Sequence, residues 1–186
     1  MFGIFCFIKL YFKIKMKVSQ LPSEDYNPFY QTYISTLKDI SLLDALYDGL
    51  DNFKNNIETI PIEKWNFSYA DGKWSVVEVL LHIIDTERVF QYRGLCFSRN
   101  DENHFPGFEQ DDYVLSGNAK TRSKESILNE FIAVRKSTIA LFESFDQKVL
   151  QKRGVASNSL MSVAATGFII SGHLKHHLRI LQERYF

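Results

Sequence analysis

Five histidines, His82, His104, His173, His176 and His177, are the side chains of this sequence best suited to chemistry. Three of them crowd into Gly172-His-Leu-Lys-His-His177. His173 and His177 stand four residues apart, so one helical turn puts both rings on one face. That is the spacing of metal ligands on a helix. At about 100° per residue, Ile170, Leu174, Leu178, Leu181 and Tyr185 form an apolar stripe. His177 falls just inside its edge and His173 about 40° further round, whereas His176 turns toward Arg179 and Glu183. His173 and His177 are therefore the better pair, and His176 a rim residue.

Two ligands do not make a site, because a divalent ion wants three or more. His82 is the third candidate, on the edge of an apolar arc of its own helix and in line with Thr86 and Arg93. Three imidazoles leave a position open for water or substrate, the layout of a catalytic rather than a closed structural site. All-nitrogen ligation suits Zn, Ni, Cu or Fe. Spacing alone leaves the plain alternative standing: a histidine pair bonded to carbonyls or capping a helix, and a structural His82.

Two acids on the same helix bear on this chemistry. Glu87 falls in the middle of the apolar arc formed by Val76, Leu80, Ile83 and Phe90, and a buried carboxylate needs a partner. The sequence allows an ion pair with Arg88, with Arg93 or with an arginine on another helix. It equally allows a role orienting a ligand histidine. Asp85, three residues after His82, could also orient that ring.

These side chains need long helices to hold them. Residues 27–60 read as helical with an interruption near Ser41, and Pro61 ends the region. Ser75 and Glu78 form a capping box that starts a second helix reaching about Ser98. Residues 99–122, rich in Asn, Asp, Gly and Pro, read as a long connection of the kind that is usually functional. Arg99, His104 and Asp112 in it are candidates for gripping a polar substrate. A third helix runs from Ser123 to about Phe145. Residues 154–162 read as a loop, and Ser162 caps a last helix that starts at Val163. No segment alternates as a strand does. The expectation is an all-α four-helix bundle with non-sequential neighbours, its long crossover lying between helices two and three.

The chain has 186 residues, 45% hydrophobic and 24% charged, the composition of a soluble globular domain. Lys plus Arg and Asp plus Glu both total 22, so the formal net charge is zero. That balance argues against a nucleic-acid partner. Two cysteines cannot build a disulfide framework and suit a reducing compartment, so a cytoplasmic location is expected. Residues 1–16 do not conform: apolar and aromatic residues precede Lys9, Lys13 and Lys15, the reverse of a secretory signal. The apolar stretch is too short to span a bilayer, so no stable membrane insertion is expected. A start at Met16, a weakly associating tail and an export signal all remain open. The expected division is a poorly packed extension, 1–16, followed by one domain, 17–186.

Taken together, four motifs resemble the DinB-like superfamily, which includes the YfiT-type proteins. They are Tyr69-Ala-Asp-Gly-Lys-Trp-Ser75, Glu78-Val-Leu-Leu-His82-Ile-Ile-Asp85-Thr-Glu-Arg88, Phe105-Pro-Gly-Phe-Glu-Gln-Asp-Asp-Tyr113 and Ser171-Gly-His-Leu-Lys-His-His177. The resemblance covers about Tyr30 to Phe186. It implies one divalent ion, zinc or nickel, held by His82, His173 and His177. It also implies a small-molecule substrate and a homodimer, since relatives include S-transferases of low-molecular-weight thiols such as bacillithiol or mycothiol, a thiol-dependent isomerase and metal-dependent hydrolases. The leading expectation is a thiol S-transferase in which a metal-activated thiol attacks an electrophile. The alternatives are an amide or ester hydrolase assisted by Glu87 or Asp85, and a non-catalytic metal-binding stress protein.

Overall fold

The computed structural model of the chain describes residues 16–186. Its helices are α1 (Gln31–Ile34), α2 (Leu42–Thr59), α3 (Val76–Ser98), α4 (Gln110–Ser116), α5 (Lys124–Glu143), α6 (Gln147–Leu150) and α7 (Val163–Arg184). The strands are β1 (His104–Phe105), β2 (Arg153–Ala156) and β3 (Ser159–Ser162). Among the described residues, no helix is long and apolar enough to cross a membrane.

Local chemistry sets the ends of the four long helices. The Ser41 hydroxyl accepts from the Asp44 amide and starts α2. At α3 the expected capping box is present, with the Ser75 amide donating to Glu78 Oε2 at 2.7 Å. Ser123 caps α5 through the Ser126 amide, and Ser162 caps α7 through the Ala165 amide. Helix α3 ends at Ser98, where the sequence places its end.

Helix α7 packs against both α2 and α3, and α5 packs against the same two helices. Contacts along each pair give the directions. Gly49 meets Leu174 and Asn56 accepts from Gln182, so α2 and α7 run the same way. His82 meets His173 and Gly94 meets Thr166, so α3 and α7 run oppositely. The result is a mostly helical bundle.

Its apolar core falls into two clusters. One is built on Leu42, Phe90, Phe97, Phe142 and residues 163–170. The other is built on Phe53, the valines, leucines and isoleucines of 76–84, Phe131, Leu174 and Leu178. Between them, at one level of the bundle, lie the buried polar side chains Thr86, Glu87, Arg135, Thr138, Ser171 and His173.

Two expectations change here. Residues 154–162 are not a loop. With Arg153 they form the hairpin β2–β3, turned by Ser157 and Asn158 at φ 51° and 57°. Both central residues are left-handed, as a type I′ turn requires, but the usual Asn-Gly or Asp-Gly signature is missing. Strand β1 adds to β2 in parallel, so the molecule is not purely helical. At the other end, Met16 is buried at 5% exposure and packs into the first core cluster. The expected poor packing of the residues before it lies outside the described residues.

Candidate metal centre

Helix α3 presents His82 in its second turn, and α7 presents His173 and His177 one turn apart. Antiparallel packing sets these faces against each other, and one ligand atom from each of the three rings falls within 4.8 Å of the others. His82 Nε2 and His173 Nε2 are 3.0 Å apart. Two imidazole nitrogens on one tetrahedral ion, each 2.0–2.1 Å from it, stand about 3.3 Å apart. The observed spacing is close to that value.

The rings are held neutral, which a metal ligand must be. Burial pushes His82 down to about 4 from its ordinary 6.5. His177 is pushed down to about 3 by burial and then by its neighbours His82 and His176. His173, 5% exposed, lies well below the ordinary value for the same reasons, burial first and the other histidines second. The donor set, its burial and its protonation therefore fit a divalent ion bound through nitrogen.

His173 is more buried than its own helical wheel suggests. The cause is a separate element: Tyr33 in α1 sets its ring edge-on to His173 at 5.2 Å. That close approach needs Gly172, because a Cβ there would collide with the Tyr33 carbonyl. Trp74 covers the other side of the site, its ring 4.8 Å from that of His82. The Thr86 hydroxyl, one turn after His82, lies 3.5 Å from His82 Nδ1, at the outer limit of a hydrogen bond.

The two acids do not touch the histidines. Glu87 takes the ion pair with an arginine on another helix. Arg135 Nε and Nη2 donate to its two oxygens at 2.7 Å each, and the Thr138 hydroxyl donates at 2.8 Å. Arg135 also donates to the Leu46 carbonyl at 3.0 Å. Gly49 makes room, since a Cβ there would overlap Arg135 Nη1. Asp85 faces Arg88 at 3.6 Å. His176 is half-buried, edge-on to Tyr33 at 5.2 Å, and its Nδ1 has no partner among the described residues.

A cavity of about 260 Å³ opens beside the site, lined by His82, Thr86, His173, Phe90, Arg93 and residues 107–110, among others. A larger groove of about 730 Å³ between α2 and α7 contains none of the three histidines. The proposed gripping residues Arg99, His104 and Asp112 do not line the cavity beside the site. Arg99 bonds the Ser98 hydroxyl, His104 is exposed in β1, and Asp112 is exposed on α4. Arg93, which does line it, was read from the sequence as lying in line with His82 and as a possible partner of Glu87, but not as a substrate-gripping residue.

Comparison with known proteins bears on the fold and the family. The fold is similar to that of YfiT from Bacillus subtilis, described as a probable metal-dependent hydrolase with an unusual four-helix bundle topology. The TM-score is 0.64 at 15% identity, over 88% of this chain and 90% of that one. It is also similar to the mycothiol-dependent maleylpyruvate isomerase, with TM-score 0.63 at 9% identity, over 91% of this chain. The match spans 63% of that longer protein. No curated protein sequence matches the chain. A family model described as the DinB superfamily matches residues 45–181. The chain belongs to the DinB superfamily.

Proposed function

We propose that the protein is a divalent-metal enzyme, zinc or nickel being the ion, that transfers a low-molecular-weight thiol to an electrophile. His82, His173 and His177 hold the ion, with Thr86 beside His82 Nδ1. A divalent ion at such a site lowers the proton affinity of a thiol or water bound to it. Tyr33 and Trp74 pack against the rings of His173 and His82.

One observation favours thiol transfer over hydrolysis. Glu87 is consumed by Arg135 and Thr138, and Asp85 faces Arg88, so neither is free to act as a base at the site. A thiol needs no such base once its proton affinity is lowered, whereas attack by water is aided by one. The likeness to a mycothiol-dependent isomerase points the same way. Hydrolysis is the second reading, supported by the description of YfiT and by Glu109, an exposed carboxylate that lines the same cavity. We also read residues 99–122 as the expected long crossover. Arg88 pairs with Glu130 and Gln91 with Ser137, so α3 and α5 run the same way and the segment joining them must travel back along the bundle.

The test is conjugation of a bromobimane by the metal-loaded protein, with bacillithiol, mycothiol and cysteine supplied in turn. Metal-dependent conjugation above the uncatalysed rate is the expected result. Failure with every thiol, combined with turnover of an ester or amide in the absence of thiol, would move the assignment to hydrolysis.

A further inference from the structure

Two arginines are buried almost completely in this bundle. Arg135 is 0% exposed and Arg93 is 2% exposed. Their surroundings differ in one respect. Arg135 has Glu87 as a bidentate counter-charge. Arg93 has none: among the described residues it forms no ion pair. Its partners are neutral. Nη2 donates to the Pro106 carbonyl at 2.9 Å and to the Ser157 hydroxyl at 3.1 Å. The guanidinium also stands 4.9 Å from the centre of the Phe90 ring and beside the Tyr30 hydroxyl.

A buried cation without a counter-charge is expensive to keep. Neither neutral partner explains the choice of arginine, since a glutamine could donate to a carbonyl and a hydroxyl alike. The cavity supplies the explanation. Arg93 lines it together with His82 and His173, so the cation and two of the proposed metal ligands share one open cavity. His82 and Arg93 lie on one face of α3, about 16 Å apart along its axis. The long side chain leans back toward the N-terminal end of the helix, and so toward the histidines. Among the described residues no other Lys or Arg lines the cavity, and Glu109 at its wall is exposed and not paired with Arg93.

We propose that Arg93 anchors the carboxylate of a small organic acid in this cavity, placing the rest of that molecule at the three histidines. A single guanidinium matches a single negative charge. With Nη2 held by protein acceptors, both two-nitrogen forks of the guanidinium are interrupted, so Nε and Nη1 reach the anion through single N–H contacts, and one positive charge suits a singly charged carboxylate better than a more highly charged phosphate. Phe29, Phe90 and Phe108 in the wall suit an apolar body attached to the acid. The proposal rests on the reading of the histidines as the reacting centre, but the anchor itself can be tested without a metal. The acid group could belong to the thiol or to its electrophile, and the probes below separate the two.

The experiment is a titration of the metal-free, full-length protein followed by 1H–15N spectra that include the arginine Nε–H signals. The probes are benzoate, benzamide, 3-mercaptopropionate and 3-mercaptopropionamide. At least one of the two acids is expected to bind at least tenfold more tightly than its amide and to shift the Arg93 Nε–H signal, which Arg93→Lys identifies by removing it. In Arg93→Gln the preference should fall to about one, while metal content per chain stays as in the wild type. A preference confined to the mercapto acid assigns the carboxylate to the thiol; a preference for benzoate assigns it to the electrophile. Equal binding of acids and amides by the wild type overturns the proposal, and so does a preference that survives in Arg93→Gln. Because metal content is read after reconstitution of separate aliquots of the same preparations, loss of the anchor and loss of the metal site give separate results.

Discussion

His82, His173 and His177 are kept uncharged by their surroundings, and this links the site to stability. Their folded values lie below the ordinary 6.5, at about 4 for His82 and about 3 for His177. Between those values and 6.5 the unfolded chain binds protons that the folded chain refuses. The metal-free protein therefore loses stability as pH falls through that window, by about 1.4 kcal/mol per unit for each such histidine, and is unaffected above it. Urea unfolding from pH 7 to pH 4.5 checks this: His177→Gln should show a shallower decline than wild type, and identical slopes would contradict the assignment. The Glu87–Arg135 pair predicts a different signature. Glu87→Leu or Arg135→Met alone strands a buried charge and should cost about 3–5 kcal/mol, and the double variant far less than the sum. Glu87→Gln, where it folds, should keep the metal content of the wild type, since Glu87 touches no histidine; a drop would restore to Glu87 the role of orienting a ligand. At this scale the His173–His177 pair was readable because its spacing is local, whereas His82, 91 residues before His173, joined it as a third candidate that the family resemblance then implied. Arg135 was not, because nothing near position 87 in the sequence says which distant helix will bring the counter-charge.

Elements differ in how much of their structure is local. The starts of α3, α5 and α7 were readable because a serine hydroxyl three residues ahead of an amide is enough to begin a helix. The hairpin was not readable. Its strands are four residues long, and its turn uses Ser157 and Asn158 rather than a glycine. What fixes it is tertiary: Arg153 pairs with Asp25, and Gly154 lies against the ring of Phe97. A Cβ at Gly154 would overlap that ring, so Gly154→Ala should destabilise the fold by about 1–3 kcal/mol. Thermal unfolding checks this, and an unchanged midpoint would mean that the hairpin does not depend on that contact. The hairpin also carries Ser157, which holds Arg93. Elements that looked like loops in the sequence thus complete the cavity wall. The wheel of α7 misjudged the burial of His173 for the same kind of reason, since a wheel has no knowledge of the α1 tyrosine that covers it.

The molecule as a whole is a bundle whose apolar core is interrupted at one level. Above and below that level, phenylalanine, leucine and isoleucine fill the space between helices. At the level itself, α3 and α7 contribute the histidines while α3 and α5 contribute the ion pair. The ion pair occupies the polar centre on one side and leaves the histidines with no carboxylate bonded to them on the other. That division underlies the account of a nitrogen-ligated metal facing a small cavity. It is tested most directly by metal content per chain, measured by plasma mass spectrometry on protein with any affinity tag removed. Wild type, His82→Ala and His173→Ala should be compared after reconstitution with zinc or nickel. The account predicts about one ion per wild-type chain and less than a tenth of that in both variants. Wild-type protein that takes up no metal, or variants that retain it, would contradict the account.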